Sequence, residues 1–310
     1  MTWEPVGRVF PPSGDLPEWI GGYGALPFAV GAGRTRRVFF SGRDAENRAR
    51  IGACTLDLDT FTVDPESVTK EALVAPGPPG AFDESGCSMS CLVEHEGRLH
   101  LYYTGWTLGR TVPFYLAVGL AVSDDGGRTF EKASPAPVLG RHRVDPYLCA
   151  SPSILVEGGV WRMWYISAVR WEERPEGPRH YYLVKYAESR DGIDWRRDGR
   201  VAIDFQSGEE YAIGRPHVVR DGGLYRMGYC VRGDRYRIGY AESPDGLTWT
   251  RRDDLAGIEP PAAGWDAEMQ AYPMVFRDGA REVMLYNGNG YGATGFGCAI
   301  RTSRARREER

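Results

Sequence analysis

The sequence has no long apolar run and no surplus of basic residues. No stretch of 18 apolar residues occurs, so we expect no membrane span. The net charge is −4, which argues against nucleic acid as a partner. The opening residues MTWEPVGRVFPPSGD lack the basic and apolar segments of a signal peptide. We therefore expect a cytoplasmic protein that acts on a small molecule or a glycan.

Cysteine pairs with metal-binding spacing are also missing. The sequence has six cysteines and no CxxC motif, and Cys87 and Cys91 form a CxxxC without a histidine or second cysteine pair at zinc-like spacing. Cys87 and Cys149 occupy the same position of a repeat described below, which is typical of small buried packing residues. Reduced, structural thiols fit a cytoplasmic location, and we predict no cofactor.

Amphipathic helix is absent as well. The 40 glycines and 21 prolines fit strands joined by tight turns, and alternation of apolar and polar residues dominates. The charged end, residues 301–310 (RTSRARREER), is predicted to be a flexible tail outside the fold.

A repeat organises the sequence. Four segments share an acidic residue, a small or proline residue, an apolar run, a turn and an aromatic strand. Their acids are Asp83, Asp145, Glu209 and Asp266, at intervals of 62, 64 and 57 residues. A fainter fifth copy at 19–41 carries Ile20 where the others have an acid.

Each repeat reads as four strands. Third strands are predicted at 51–56, 116–122, 183–187, 237–241 and 295–300, and three of them are followed by Asp-Gly turns and an aromatic residue. Five such units predict an all-β, five-bladed β-propeller formed by residues 1–300 as one domain. The spare strand Val6–Phe10 is expected to close the ring by completing the last blade. Twin β-sandwiches are the alternative.

The repeated acids are the first candidates for chemistry. The innermost strand of a propeller blade lines the central channel, so acids just before these strands are expected to gather at its mouth. Clustered carboxylates divide into protonated and ionised members, as cleavage of a glycosidic bond requires. The alternative is that they cap strand ends or bind backbone N–H groups.

Five further residues are candidates for substrate binding. Arg215 suits a ligand carboxylate or phosphate, and Trp19 and Tyr272 suit either the face of a sugar ring or the core of a blade. Trp106 begins the loop 106–113, which follows the second strand of blade two and is a candidate to overhang the channel mouth. His217 is a candidate channel metal ligand, although a hydrogen-bonded core histidine is the commoner role, and we predict no metal.

These patterns resemble the five-bladed propeller glycoside hydrolases of families 43, 62, 32 and 68 and the family 130 phosphorylases. Val144-Asp145-Pro146 resembles the Arg-Asp-Pro motif of family 32, which implies that Asp145 stabilises the transition state. Glu209 falls where the group keeps its general acid. The group also needs an aspartate on blade one, where this sequence has Ile20, so Glu18, Asp83 or Asp266 would serve as base or nucleophile.

Three functions are consistent with these residues. The first is a glycoside hydrolase-like enzyme that uses the carboxylates of the channel on a glycoside or sugar conjugate. The second is a propeller enzyme of small-metabolite biosynthesis, performing cyclisation, isomerisation or transfer. The third is a non-catalytic propeller that binds a glycan or metabolite.

Overall fold

The structure, a computed structural model, describes residues 2–11 and 15–302, and its regular secondary structure is almost wholly β-strand. Its helical segments are the short 3₁₀ turns Pro65–Ser67, Asp253–Leu255 and Gly290–Gly292. Within the described residues no helix is long and apolar enough to cross a membrane. Arg301 and Thr302, predicted as the start of the flexible tail, instead continue the last strand, Phe296–Thr302, and the rest of the predicted tail, 303–310, lies outside the described residues.

The strands of the described residues form five sets of four, which we call units I to V. Unit I contains β2 (Ala25–Val30), β3 (Thr35–Arg43), β4 (Ala49–Asp57) and β5 (Thr62–Asp64). Unit II contains β6 (Gly86–His95), β7 (Arg98–Leu108), β8 (Phe114–Ser123) and β9 (Glu131–Lys132). Unit III contains β10 (Cys149–Glu157), β11 (Val160–Glu172), β12 (Arg179–Ser189) and β13 (Val201–Ile203). Unit IV contains β14 (Ala212–Asp221), β15 (Leu224–Arg232), β16 (Tyr236–Ser243) and β17 (Thr250–Arg251). Unit V contains β18 (Ala271–Asp278), β19 (Arg281–Asn287), β20 (Phe296–Thr302) and the N-terminal β1 (Glu4–Phe10).

Within each unit, neighbouring strands are antiparallel. Units I and II are joined by one parallel bridge between Ala49 and Gly86, and units III and IV by one between Tyr182 and Ala212. β1 pairs with β20 at the outer edge of unit V, as predicted for Val6–Phe10. The predicted third strands fall on β4, β8, β12, β16 and β20.

The first strand of every unit carries an irregularity at the same place. The register shifts lie between residues 25 and 28, 89 and 91, 150 and 153, 214 and 217, and 271 and 274. In four of the five units the residue before a proline adopts positive φ; these residues are Leu26, Ser151, Arg215 and Tyr272. A bulge of this kind re-aims a side chain, and positive φ is uncommon for residues other than glycine. In each of these four units, the bulge therefore sets the direction of the side chain of the residue before the proline.

Two of the Asp-Gly turns connect a unit to the one before it. Gly192 and Gly246 have positive φ, near 75°, which a tight turn needs and glycine supplies without strain. The carbonyl of Gly192 accepts a hydrogen bond from Tyr102 of unit II, and that of Gly246 accepts one from Trp164 of unit III. The sequence predicts these turns from their Asp-Gly pairs. Each turn also accepts a hydrogen bond from a buried aromatic side chain of the preceding unit.

All six cysteines are buried and free, in agreement with the prediction of reduced packing thiols. Cys54 lies in the cluster of units I and V with Phe40 and Phe296, and Cys149 lies in the cluster of units II and III with Trp161. Because each of these clusters contains residues of two neighbouring units, the hydrophobic core lies between adjacent units.

Candidate functional site

Asp145 is fully buried and is held by four side chains of its own unit. Its carboxylate accepts hydrogen bonds from Tyr165 at 3.0 Å and Ser167 at 2.7 Å. Lys185 lies 3.2 Å away and Arg197 3.3 Å away. Burial and the neighbouring carboxylate raise the pKa of Tyr165, so its hydroxyl stays protonated and acts as a donor. This set of contacts anchors the segment before β10 to β11 and β12.

Two other repeated acids have the same kind of anchor. Asp83 accepts a hydrogen bond from Tyr103 at 2.9 Å and one from Lys132 at 2.5 Å. Asp266 accepts one from Tyr286 at 2.9 Å. In all three units the tyrosine lies 20 residues after its acid, on the second strand. The repeated acid and this tyrosine form one structural element.

In unit IV the buried acid is Glu210, and the predicted Glu209 is exposed. Glu210 accepts hydrogen bonds from Arg251 at 2.7 and 2.9 Å. The tyrosine of this unit, Tyr229, donates instead to Asp253. The alignment of the repeats is therefore wrong by one residue in unit IV, where Glu209 and Glu210 are adjacent and only Glu210 is buried.

Contrary to the prediction, the acids do not gather around one channel mouth. Asp83, Asp145, Glu210 and Asp266 are each paired inside their own unit, and Glu18 is exposed. No group of three or more histidine, cysteine, aspartate or glutamate side chains in 2–11 and 15–302 could hold a metal. The alternative, that these acids serve the fold, agrees with their contacts.

A cavity of about 400 Å³ lies among the first strands of the units. All five units contribute to its wall. The residues at its first strands include Leu26, Ser88, Ser151, Arg215 and Tyr272, one from each unit. Among the described residues that line it, none is an aspartate or a glutamate.

Positive charge dominates this cavity. Its lining includes Arg43, Arg215 and Arg232, and none of the three forms a salt bridge with a carboxylate among the described residues. His180 also lines it, and burial together with the charges of Arg232 and Arg179 lowers its pKa to about 4. The imidazole is thus neutral at pH 7, and the charge of the cavity comes from its arginines.

Aromatic side chains hold two of these arginines in place. The guanidinium of Arg232 lies 5.0 Å from the ring centre of Tyr236 and 5.7 Å from that of Tyr291. Arg43 lies 5.7 Å from the ring centre of Trp106. Such cation–π contacts orient a guanidinium without neutralising it. The arginines therefore remain available to a negatively charged ligand.

Three of the five predicted binding residues, Arg215, Tyr272 and Trp106, line the cavity, and two do not. Trp19 is buried against Phe40 and donates a hydrogen bond to the carbonyl of Thr69. His217 is buried and its Nε2 lies 2.8 Å from the carbonyl oxygen of Val275. The cavity beside it measures only about 30 Å³, too small for a sugar.

We expect His217 to make folding stability depend on pH. Burial lowers its pKa from 6.5 to about 4, so the unfolded protein binds the proton more readily. Stability from this residue is complete above pH 6.5 and is lost as pH falls toward 4. In His217→Gln, the difference in unfolding free energy between about pH 7 and about pH 5 should shrink, as measured by urea denaturation; an unchanged difference would contradict the assignment.

Sequence reasoning missed Arg43, Arg232, His180, Tyr182, Tyr236 and Tyr291, all of which line the cavity. Arg43 and Arg232 lie at the ends of β3 and β15, the second strands of units I and IV. Trp106 lies near the end of the second strand of unit II. The end of each second strand is therefore the signal that could have found Arg43 and Arg232, whereas His180, Tyr182 and Tyr236 lie on third strands.

Comparison with known proteins finds two mycobacterial relatives. No family model matches the sequence. Uncharacterized protein Rv1502 of Mycobacterium tuberculosis strain H37Rv is 41% identical over 301 residues, covering 97% of this chain and 99% of that protein. MT1551 of strain CDC 1551 matches to the same extent.

This protein belongs to the Rv1502 family. Identity at this level over nearly the whole length of both proteins means that they share one architecture.

Solved structures similar to this Rv1502 family member are glycoside hydrolases of propeller type. A glycosyl hydrolase from Bacteroides ovatus superposes with a TM-score of 0.68 at 16% identity, covering 98% of this chain and 92% of that one. A thermostable family-43 glycoside hydrolase gives 0.67 at 15% identity, covering 95% and 91%. The endo-arabinase of Bacteroides thetaiotaomicron gives 0.60 at 16%, covering 95% and 99%. The fold resemblance inferred from the sequence is confirmed.

The chemistry implied by that resemblance is not visible in the cavity. It requires acids at the channel ends of blades one, three and four. At the positions assigned to those acids, Ile20 is buried, Asp145 is paired inside unit III and Glu209 is exposed, and none of the three lines the cavity. Among the described residues, the cavity wall therefore lacks the carboxylate pair that a glycosidase uses.

Proposed function

We propose that this Rv1502 family member binds a saccharide or sugar conjugate carrying a negatively charged group, in a cavity at the centre of a closed five-bladed propeller. Residues 1–300 would form this single domain, with β1 completing the fifth blade. The buried reduced thiols support a cytoplasmic location. This is the third of the functions considered from the sequence, made more specific by the charge of the cavity.

One observation carries the proposal: Arg43, Arg215 and Arg232 line the cavity without a salt bridge to a carboxylate among the described residues. Guanidinium groups pair with carboxylates and phosphates through charge-assisted hydrogen bonds. The aromatic rings that line the same cavity suit the C–H face of a sugar. A volume of about 400 Å³ is that of a small-ligand site.

The proposal is tested by comparing acidic with neutral sugars. The purified full-length protein is titrated calorimetrically with D-glucuronate, α-D-glucose 1-phosphate and D-glucose. We expect at least one acidic sugar to bind more tightly than glucose, because only the acidic sugars present an oxyanion to the arginines. Equal binding of all three, or no binding, would contradict the proposal.

Arg232→Gln should weaken binding of the preferred acidic sugar by roughly 10-fold, the worth of a charge-assisted hydrogen bond, and change glucose binding little. The matched control is Arg128→Gln, which makes the same change of net charge at an exposed turn. Calorimetric titration of both variants separates a local contact from an effect of total charge, since a loss of equal size in the control would contradict the assignment.

Hydrolysis is the competing function. Wild type and Asp145→Asn should be incubated with aryl glycosides and nucleotide sugars, with products detected by mass. We expect no turnover that depends on Asp145, because its carboxylate is occupied by four partners inside unit III. Wild-type hydrolysis abolished in a normally folded Asp145→Asn would overturn the binding proposal in favour of a hydrolase.

A further inference from the structure

Arg215 is the most deeply buried cation of the cavity, with 2% of the residue exposed. It donates hydrogen bonds to the carbonyls of Met89 at 2.9 Å and Pro27 at 3.3 Å, on the first strands of units II and I. No carboxylate pairs with it among the described residues. A buried charge without a counter-charge is costly to the folded state, so its retention needs an explanation.

The groups around Arg215 do not neutralise it. Burial raises the pKa of both nearby thiols, Cys91 and Cys230, to about 12. Burial also raises the pKa of the Tyr272 phenol well above its usual range. All three are therefore uncharged at pH 7. Burial lowers the pKa of Arg215 itself to about 10, which leaves the guanidinium charged.

Unused hydrogen-bond donors lie on the neighbouring first strands. A guanidinium has five N–H groups, and two contacts to carbonyls leave the others free. The hydroxyls of Ser88 and Ser151 line the same cavity and, among the described residues, bond to no protein group. Ser88 is adjacent to Met89, whose carbonyl holds Arg215. The inner wall thus offers a cation and two hydroxyls, all of which can donate to an anion.

We propose that the negatively charged group of the ligand enters first and binds against Arg215, assisted by Ser88 and Ser151. The sugar ring then lies farther out, among Tyr272, Trp106 and the more exposed arginines. This assignment rests on the proposed function, and it names the residue that gives the cavity its preference for acidic ligands. The positive φ of Arg215, 51°, is the backbone conformation that directs it there.

The competing explanation is that Arg215 is a purely structural tie between the first strands of units I, II and IV. The two roles differ in one readout, the ratio of affinities for an acidic and a neutral sugar. If Arg215 only stabilises the wall of the cavity, its replacement should weaken the binding of both sugars. A binding cation affects only the acidic one.

The test is calorimetric titration of wild type, Arg215→Met, Arg215→Lys and Arg232→Gln with D-glucuronate, α-D-glucose 1-phosphate and D-glucose. For Arg215→Met we expect roughly 10- to 100-fold weaker binding of the preferred acidic sugar and little change for glucose. Arg215→Lys keeps the charge but loses the planar fork, so it should retain the acidic preference with an affinity about tenfold lower. The acidic probe that binds more tightly identifies carboxylate or phosphate as the recognised group.

The outcomes separate this inference from the proposed function. If wild type shows no acidic preference, both fail. If wild type shows the preference and Arg215→Met keeps it, the inference is overturned and the proposed function stands. If Arg215→Met does not fold, Arg215→Lys decides, since unchanged affinities for all three sugars in that variant would overturn the inference.

Discussion

Asp145→Ala should be among the most damaging single substitutions in this protein. It leaves Lys185 and Arg197, which are 8% and 10% exposed at the side chain, without their shared counter-charge. Removing one partner of a buried ion pair typically costs about 3–5 kcal/mol. It also removes the acceptor of the Tyr165 and Ser167 hydroxyls. We expect a loss of that size in the free energy of unfolding, measured by urea denaturation.

The matched control is Glu209→Ala, because Glu209 occupies the predicted repeat position but is exposed. We expect its unfolding free energy to stay within about 0.5 kcal/mol of wild type, as for most surface substitutions. If instead Asp145→Ala were as stable as wild type and Glu209→Ala lost ligand binding or turnover, the structural assignment of the repeated acids would be wrong.

Glu210→Gln should destabilise the protein by about 2–3 kcal/mol at neutral pH. The substitution keeps the shape of the side chain and removes the charge that faces Arg251, whose side chain is 5% exposed. The cost should be smaller than for Asp145 because Arg251 keeps a second partner, Asp253, at 2.5 Å. Urea denaturation of the variant and wild type at pH 7 measures the difference.

This effect should depend on pH. Burial opposes ionisation of Glu210, but hydrogen bonds from Arg251 and the Gln206 N–H, with the charges of Arg251 and Arg237, lower its pKa overall. A lowered pKa means that the stabilisation is complete above the unfolded value of 4.5 and is lost as pH falls through the folded value. The gap between wild type and Glu210→Gln should therefore narrow below pH 4.5. A gap that widens in acid would contradict this account.

The strand pattern could be predicted because its signals are local. An Asp-Gly pair after an alternating strand specifies a turn through the backbone freedom of glycine, and Gly126, Gly192 and Gly246 adopt the conformation it requires. The pairing of Val6–Phe10 with the final strand was predicted from the need to complete the last unit. Both inferences depend on backbone hydrogen bonding and little on side-chain chemistry.

The site could be predicted only in part, because a repeated polar residue has two physical explanations. Asp145 recurs because a buried tyrosine hydroxyl on the second strand needs an acceptor, and the sequence offers the same spacing for a catalytic acid. The residues that line the cavity vary from unit to unit, as Leu26, Ser151 and Arg215 do. In this protein the binding surface is marked by residues that differ between units at the same structural position. A search for repeated residues does not find them.

The pairing of β1 with β20 joins residue 4 to residue 300. Phe10 at the end of β1 is fully buried against Phe296 of β20, with ring centres 5.0 Å apart. During translation β1 must therefore remain without its partner until β20 has left the ribosome. Unpaired strand edges and exposed apolar residues favour aggregation. The first strand made is therefore among the last to be paired, and a protein truncated before β20 would expose the edge of β1 and Phe10.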